Sequence, residues 1–198
     1  SGEYIWSAGN PNAVSDHSLK LEYMQHSIPA PVRPLDLNGD GLADRMYVGD
    51  MGGRIWRFDI VNGQQPANLV EGGVLASLGG AAVAPDATAA DLRRFYAAPD
   101  VVPTIINRKL VILLNIGSGY RGHPLDTTIS EQFFSIRDFN AYGVIDRADY
   151  PATPVSIGQL ADISDDPSPA LAFSTAGWRL RLNQGPGEKV LGESLTLD

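Results

Sequence analysis

Two strand-like runs, RMYVGD (Arg45–Asp50) and RIWRFDI (Arg54–Ile60), stand on either side of the glycine turn MGG. Short aromatic and β-branched runs broken by glycine bury their apolar side as paired strands, so this segment reads as a β-hairpin. In its second arm Trp56, Phe58 and Ile60 alternate with Ile55, Arg57 and Asp59, which predicts that the aromatic side faces the core. DVVPTII and LVILLNIGSG flank NRK as a second hairpin, and the unbroken apolar run from Leu110 to Leu114 implies a strand covered on both faces. EQFFSIRD, GWRLRLN and EKVLGESLTL read as further strands, with a short one at Val74 to Leu78.

Helical signal is thin. DATAADLRRFYAAPD predicts two to three turns, and PLDTTISEQ one or two. The segments are a loop and hairpin over 34–61, an insertion with its helix over 68–98, a hairpin over 100–117 and a late blade over 176–198. Hairpins recurring at roughly forty-residue intervals point to an all-β fold, a β-propeller or a sandwich. At about 40–45 residues per blade, 198 residues would make roughly four to five blades, near the lower limit of such folds. That shortness, the abrupt start SGEYIW and an ending that reads as a strand lacking its partner predict a piece of a larger, incompletely closed propeller.

Composition narrows the partners. The chain is 43% hydrophobic and 19% charged, enough apolar mass for a core, with Trp56, Phe58, Phe95, Phe133, Phe134 and Trp178 inside apolar runs as packing anchors. A net charge of −8 disfavours nucleic acid and anionic lipid, both polyanions. The absence of cysteine excludes a disulfide scaffold, a thiolate metal site and a cysteine nucleophile. No stretch reads as a signal peptide or is apolar enough to span a bilayer, so the chain as given reads as soluble.

The stretch DLNGDGLAD, directly before the hairpin, crowds carboxylates that would repel one another unless a cation gathers them. Counting from Asp36, oxygen-bearing residues Asp36, Asn38, Asp40 and Asp44 fall at positions 1, 3, 5 and 9, Gly41 at 6 and Leu42 at 7. An EF-hand loop places side-chain ligands, a sharp-turn glycine and a carbonyl at those positions. Position 12 is Tyr47 instead of the closing Glu, and strands flank the loop, so the cage must close in nine residues with Asp44 bound directly. Asp36, Asn38, Asp40, the Leu42 carbonyl and Asp44 supply five or six oxygens, and one water would complete a Ca²⁺ shell. Three carboxylates against the ion leave about −1, and small octahedral Mg²⁺ suits the site less well. The turn preference of Asp, Asn and Gly explains the residue types but not their spacing. Arg45 is placed to offset the residual charge. Asp50 and Asp59 read as turn or strand-edge carboxylates, with support of the metal loop as the alternative reading of Asp50.

Other constellations carry less. NIGSGYRGHP lacks the third glycine of a dinucleotide fingerprint and the Gly-Lys-Ser/Thr of a P-loop, so it reads as a strand ending in a tight turn, with Tyr120 and Arg121 packing over a neighbouring blade. His17, His26 and His123 show no metal spacing. His123 lies near Ser118 and Asp126 in sequence, but no nucleophile elbow is present, and no catalytic residue is assigned.

LEYMQHSIPAPVRPLDLNGDGLADRMYVGDMGGRIWRFDI (Leu21–Ile60) resembles the C-terminal β-propeller of the PilC/PilY family of type IV pilus tip-associated biogenesis factors and adhesins. RRFYAAPDVV, LLNIGSGYRGHPLDTTISEQFFSIRD and GWRLRLNQGPGEKVLGESLTLD resemble the same domain further along. The resemblance implies a modified propeller, exported to the cell surface or pilus tip, with no enzymatic activity. It implies a calcium loop at Asp36, Asn38, Asp40, Leu42 and Asp44 linked to pilus extension and retraction, hence to twitching motility and attachment. The implied partners are pilus components such as minor pilins, and host surface ligands; the family's N-terminal half is absent here. Two other readings stay open: a quinoprotein dehydrogenase propeller, whose blades share similar YVGD and IWRFD strands, and a generic extracellular propeller, integrin-like or lectin-like, in which calcium is purely structural.

Overall fold

The computed structural model describes residues 4–13, 16–80, 88–143, 150, 154–166 and 170–197. In chain order the strands are β1 (Ala8–Gly9), β2 (Leu19–Lys20), β3 (Arg33–Leu35), β4 (Arg45–Gly49), β5 (Arg54–Ile60), β6 (Val70–Ser77), β7 (Asp100–Ile106), β8 (Lys109–Gly117), β9 (Gln132–Asp138), β10 (Val155–Ser156), β11 (Ala161–Asp162) and β12 (Gly177–Arg181).

They form two five-stranded sheets and a two-stranded parallel pair, β1–β2. The first sheet runs β10-β6-β5-β4-β3, the second β11-β12-β9-β8-β7. Its β3-β4-β5-β6 part is an antiparallel meander, as in a propeller blade, and β10 adds a parallel edge. In the second sheet β7, β8 and β9 pair in sequence, β12 pairs antiparallel with β9, and β11 closes the row in parallel. Among the described residues the two sheets do not close into a ring, and the fold is all-β, that of a partial propeller.

The core lies between the sheets. Tyr47, Ile55 and Ala76 from the first sheet meet Ile112, Leu114, Ile116, Phe134 and Ile136 from the second, with Leu78 and Phe95 beside them. Phe95 and Phe134 meet edge to face, ring centroids 6.0 Å apart. A second cluster, Val48, Trp56, Phe58 and Val70, buries the other face of the first sheet under Leu19, Trp6 and Met24 of the N-terminal segment. Strand β5 is therefore covered on both sides: the aromatic side packs outward under that segment, and the Ile55, Arg57 and Asp59 side faces the second sheet, buried just as fully. The expectation of a single core-facing side is corrected, because the sequence does not reveal a second layer.

The hairpin arms fall where the alternation places them, and the β4–β5 turn is tied by Asp50. Its Oδ1 accepts the Gly52 and Arg54 backbone N–H groups (2.8 and 2.9 Å) and its Oδ2 the Trp56 indole N–H (2.9 Å).

Other expectations change. Within DATAADLRRFYAAPD, residues 86 and 87 lie outside the described set, and the rest holds one 3-10 turn, Ala89–Asp91, instead of a helix. Arg93 reaches the Leu78 and Ser130 carbonyls, and the Phe95 N–H bonds the Asp50 carbonyl, so tertiary partners at both sheets draw the chain out. PLDTTISEQ holds no helix either, because the Asp126 carboxylate takes the Thr128 and Ile129 N–H groups in a side-chain-capped turn. The strand expected over 74–78 is β6, four residues longer at its start. EKVLGESLTL pairs with no strand. It lies across the second sheet through Val190 N–H to the Ser118 carbonyl, Thr196 N–H to Asp100, and Asn115 to Thr196, while an Arg33–Glu193 ion pair ties it to β3. Among the described residues there are two blade-like sheets, not four or five.

A candidate metal loop and the ion network behind it

The acidic loop spans the turn from β3 to β4. Asp, Asn and Gly favour the left-handed and side-chain-capped turns it needs, and Gly39 and Gly41 take positive φ (80° and 87°) with open space around both. The acidic side chains wrap the loop's own backbone. Asp36 Oδ1 accepts from Gly39 N–H (2.6 Å) and Oδ2 from Gly41 N–H (2.8 Å). Asn38 Oδ1 accepts from Asp40 N–H, Asp40 Oδ1 from Leu42 N–H, and Asp44 Oδ2 from Leu37 N–H, each at 2.8 Å. The Gly41 and Gly39 N–H groups hold the Asp36 carboxyl below its ordinary value, against the opposing effect of desolvation.

Asn38, Asp40 and Asp44 converge: the Asn38 amide nitrogen lies 3.2 Å from Asp40 Oδ2 and 3.4 Å from Asp44 Oδ1. The Asp36 carboxylate is turned to backbone donors. Among the described residues no group of three or more His, Cys, Asp or Glu side chains is gathered as a metal cage. The donor set fits a hard cation in kind, since every side-chain donor is oxygen and the turn is built on glycine.

Arg45 follows the loop but does not serve its charge. Its Nε donates to Asp59 Oδ1 (2.6 Å), and its Nη atoms reach the Asn140, Ala141 and Gly143 carbonyls (2.8, 3.3 and 2.9 Å). Arg57 pairs with Asp59 (2.9 Å) and with Asp138 on β9 (2.9 Å). The Tyr47 hydroxyl donates to Asp138 Oδ2 (2.6 Å) and that of Tyr150 to Asp59 Oδ2 (3.2 Å). Two guanidinium and two carboxylate groups thus cancel inside the contact between the sheets, each nearly inaccessible to water. Burial, then the Asp138 carboxylate, pushes the Tyr47 phenol well above its ordinary pKa. Burial, then Asp59, does the same to Tyr150, so both stay protonated donors. Burial opposes the Arg45 charge, but Tyr47, Asp59 and Asp138 outweigh it and raise its pKa.

Sequence reasoning missed this network. Its signal was present: Arg45 lies opposite Asp59, and Tyr47 opposite Arg57, in the β4–β5 register. Asp50 is the turn carboxylate that the sequence reading expects, buried and bonded to Trp56, and its bonds go to the β4–β5 turn and not to the metal loop. A pocket of about 460 Å³ separates Asn38 and Asp44 from Ala141, Tyr142 and Gly143, and Arg45 and Asp59 also line it.

In the Gly-Ser-Gly turn the buried Glu131 carboxylate accepts from the Ser118 hydroxyl and the Tyr120 N–H, both at 2.6 Å. An internal anion therefore holds the donors that a phosphate would need. Tyr120 sits between Arg94, 3.8 Å from its ring centroid, and His123, while Arg121 is exposed. His17 and His26, scattered in sequence, line one open cavity of about 530 Å³ beside Met24. Among the described residues no helix is long and apolar enough to cross a membrane.

No protein-family model and no curated protein matches the sequence. A solved structure does: the crystal structure of the Pseudomonas aeruginosa PilY1 C-terminal domain, with a TM-score of 0.59 and 22% identity over 82% of this chain. The chain spans 40% of the length of that structure. In fold, the chain is therefore similar to part of that domain.

Proposed function

We propose that the chain is a calcium-binding propeller module of a type IV pilus biogenesis or tip protein, acting by binding and conformational control without chemistry of its own. The reading is carried by a PilY1-like fold together with an acidic nine-residue loop at the head of its first full hairpin. Asp36, Asn38, Asp40 and Asp44, with the Leu42 carbonyl, would hold Ca²⁺. The ion supplies positive charge where three carboxylates otherwise repel one another. The Leu37, Gly39 and Gly41 N–H groups and the Asn38 amide keep the carboxylates oriented until it binds.

In this reading the module works at the cell surface, where calcium orders the loop and hairpin and a pilus component such as a minor pilin reads the ordered state. Extension, retraction and attachment are then governed by differential affinity of that partner for the two states. Titration of the chain with CaCl₂ in a calorimeter is the test. Saturable, roughly one-to-one uptake is expected for the native chain, and loss of it in Asp40→Ala. Equal uptake by both, or none by the native chain, removes the loop from the function.

A further inference from the structure

We infer that the buried ion network between the two sheets sets the calcium affinity of the loop, with Arg45 as the positioning residue for Asp44. This rests on the calcium reading of the loop.

Asp44, the last ligand, directly precedes Arg45, the first residue of β4, so one peptide joins the two. That backbone is clamped. Asp44 N–H bonds the Leu35 carbonyl (2.9 Å), and the Asp44 carbonyl, in the peptide shared with Arg45, accepts Ile60 N–H (2.8 Å). Any shift of the Arg45 backbone must therefore move Asp44.

Arg45 is itself fixed from the second sheet. Three of its bonds end on the Asn140, Ala141 and Gly143 carbonyls, in the loop that leaves β9. Asp138, the last residue of β9, shapes that loop: its Oδ1 accepts Asn140 N–H (3.0 Å) while it also holds Arg57 and Tyr47. Asp138 thus acts on Asp44 through the 140–143 carbonyls and Arg45, across the pocket that Asn38 and Asp44 share with Ala141–Gly143. Loosening the network leaves Asp44 with more positions to lose on binding, so affinity falls. Linkage makes the effect reciprocal: calcium must tighten the 140–143 loop by the same free energy.

The experiment measures the CaCl₂ dissociation constant by calorimetry for the native chain, Tyr47→Phe and Asp138→Asn, with thermal unfolding recorded for each. Tyr47→Phe removes only the hydroxyl that donates to Asp138 and keeps the ring in the core, so it supplies the answer if Asp138→Asn does not fold. Expected are affinities roughly twofold to threefold weaker for Tyr47→Phe and about tenfold weaker for Asp138→Asn. In the native chain, calcium is expected to shift the 140–143 amide resonances. Native uptake with unchanged dissociation constants in the folded variants, or with no shift at 140–143, overturns the coupling while leaving the calcium site standing. Absence of native uptake overturns the calcium reading itself and the coupling with it.

Discussion

Asp36 and Asp50 show how one residue type serves two ends under different burial. Asp50 is sealed beneath the β4–β5 turn and spends both oxygens on that turn and on Trp56. Asp36 is open to water, and the Gly41 and Gly39 N–H groups stabilise its carboxylate more than its neutral form. Its folded-state pKa therefore lies below the ordinary 3.8. The stabilisation is complete above that ordinary value and is lost as pH falls through the lower native one. In the calcium-free protein the Gly39 and Gly41 amide resonances should titrate with a midpoint below 3.8; a midpoint at or above it would mean that the loop bonds do not form. The five proposed ligands were legible from spacing alone, since the Asp-x-Asn-x-Asp-Gly-x-x-Asp pattern encodes a local geometry. The inward turn of Arg45 was not, because its partners at 140–143 lie almost a hundred residues away.

Hairpins were the elements most faithfully written in the chain: β4, β5, β7, β8 and β9 fall on the quoted runs, since alternation and glycine turns act between neighbours. The helix and the last strand were misread where side chains were drawn to distant partners, as with Arg93 and Phe95, or where the segment was held by isolated bonds, as at Val190 and Thr196. Two glycines separate local from tertiary constraint. Gly39 and Gly53 have nearly equal φ (80° and 75°), but a Cβ at Gly39 meets nothing within 4 Å. At Gly53 it would strike the Gly79 backbone and come within 2.9 Å of the Arg93 carbonyl. Gly39→Ala should cost about 1 kcal/mol, the left-handed penalty alone. Gly53→Ala should cost at least about 2–3 kcal/mol, because backbone must also move. Urea unfolding of the two variants measures the difference, and equal losses would show that the β4–β5 turn tolerates the added carbon.

The two sheets are joined by an apolar core and, at one end of it, by paired charges. Removing one member of a buried ion pair leaves its partner desolvated and unmatched, at a cost of about 3–5 kcal/mol. Arg57→Met strips the cation shared by Asp59 and Asp138 and should lower stability by about that amount in urea unfolding. A loss under about 1 kcal/mol would mean that water reaches the network. The all-β class, the positions of the hairpins and the candidate ligands could be read directly from the residues, because alternation, turn chemistry and ligand spacing act over a few positions and need no knowledge of the rest of the chain. Which side of β5 meets the second sheet, how many blade-like sheets form and where Arg45, Arg57 and Asp138 meet were set by packing. Those outcomes depend on surfaces brought together from opposite ends of the sequence, and a strand's own pattern reads the same whether one of its faces is covered or both.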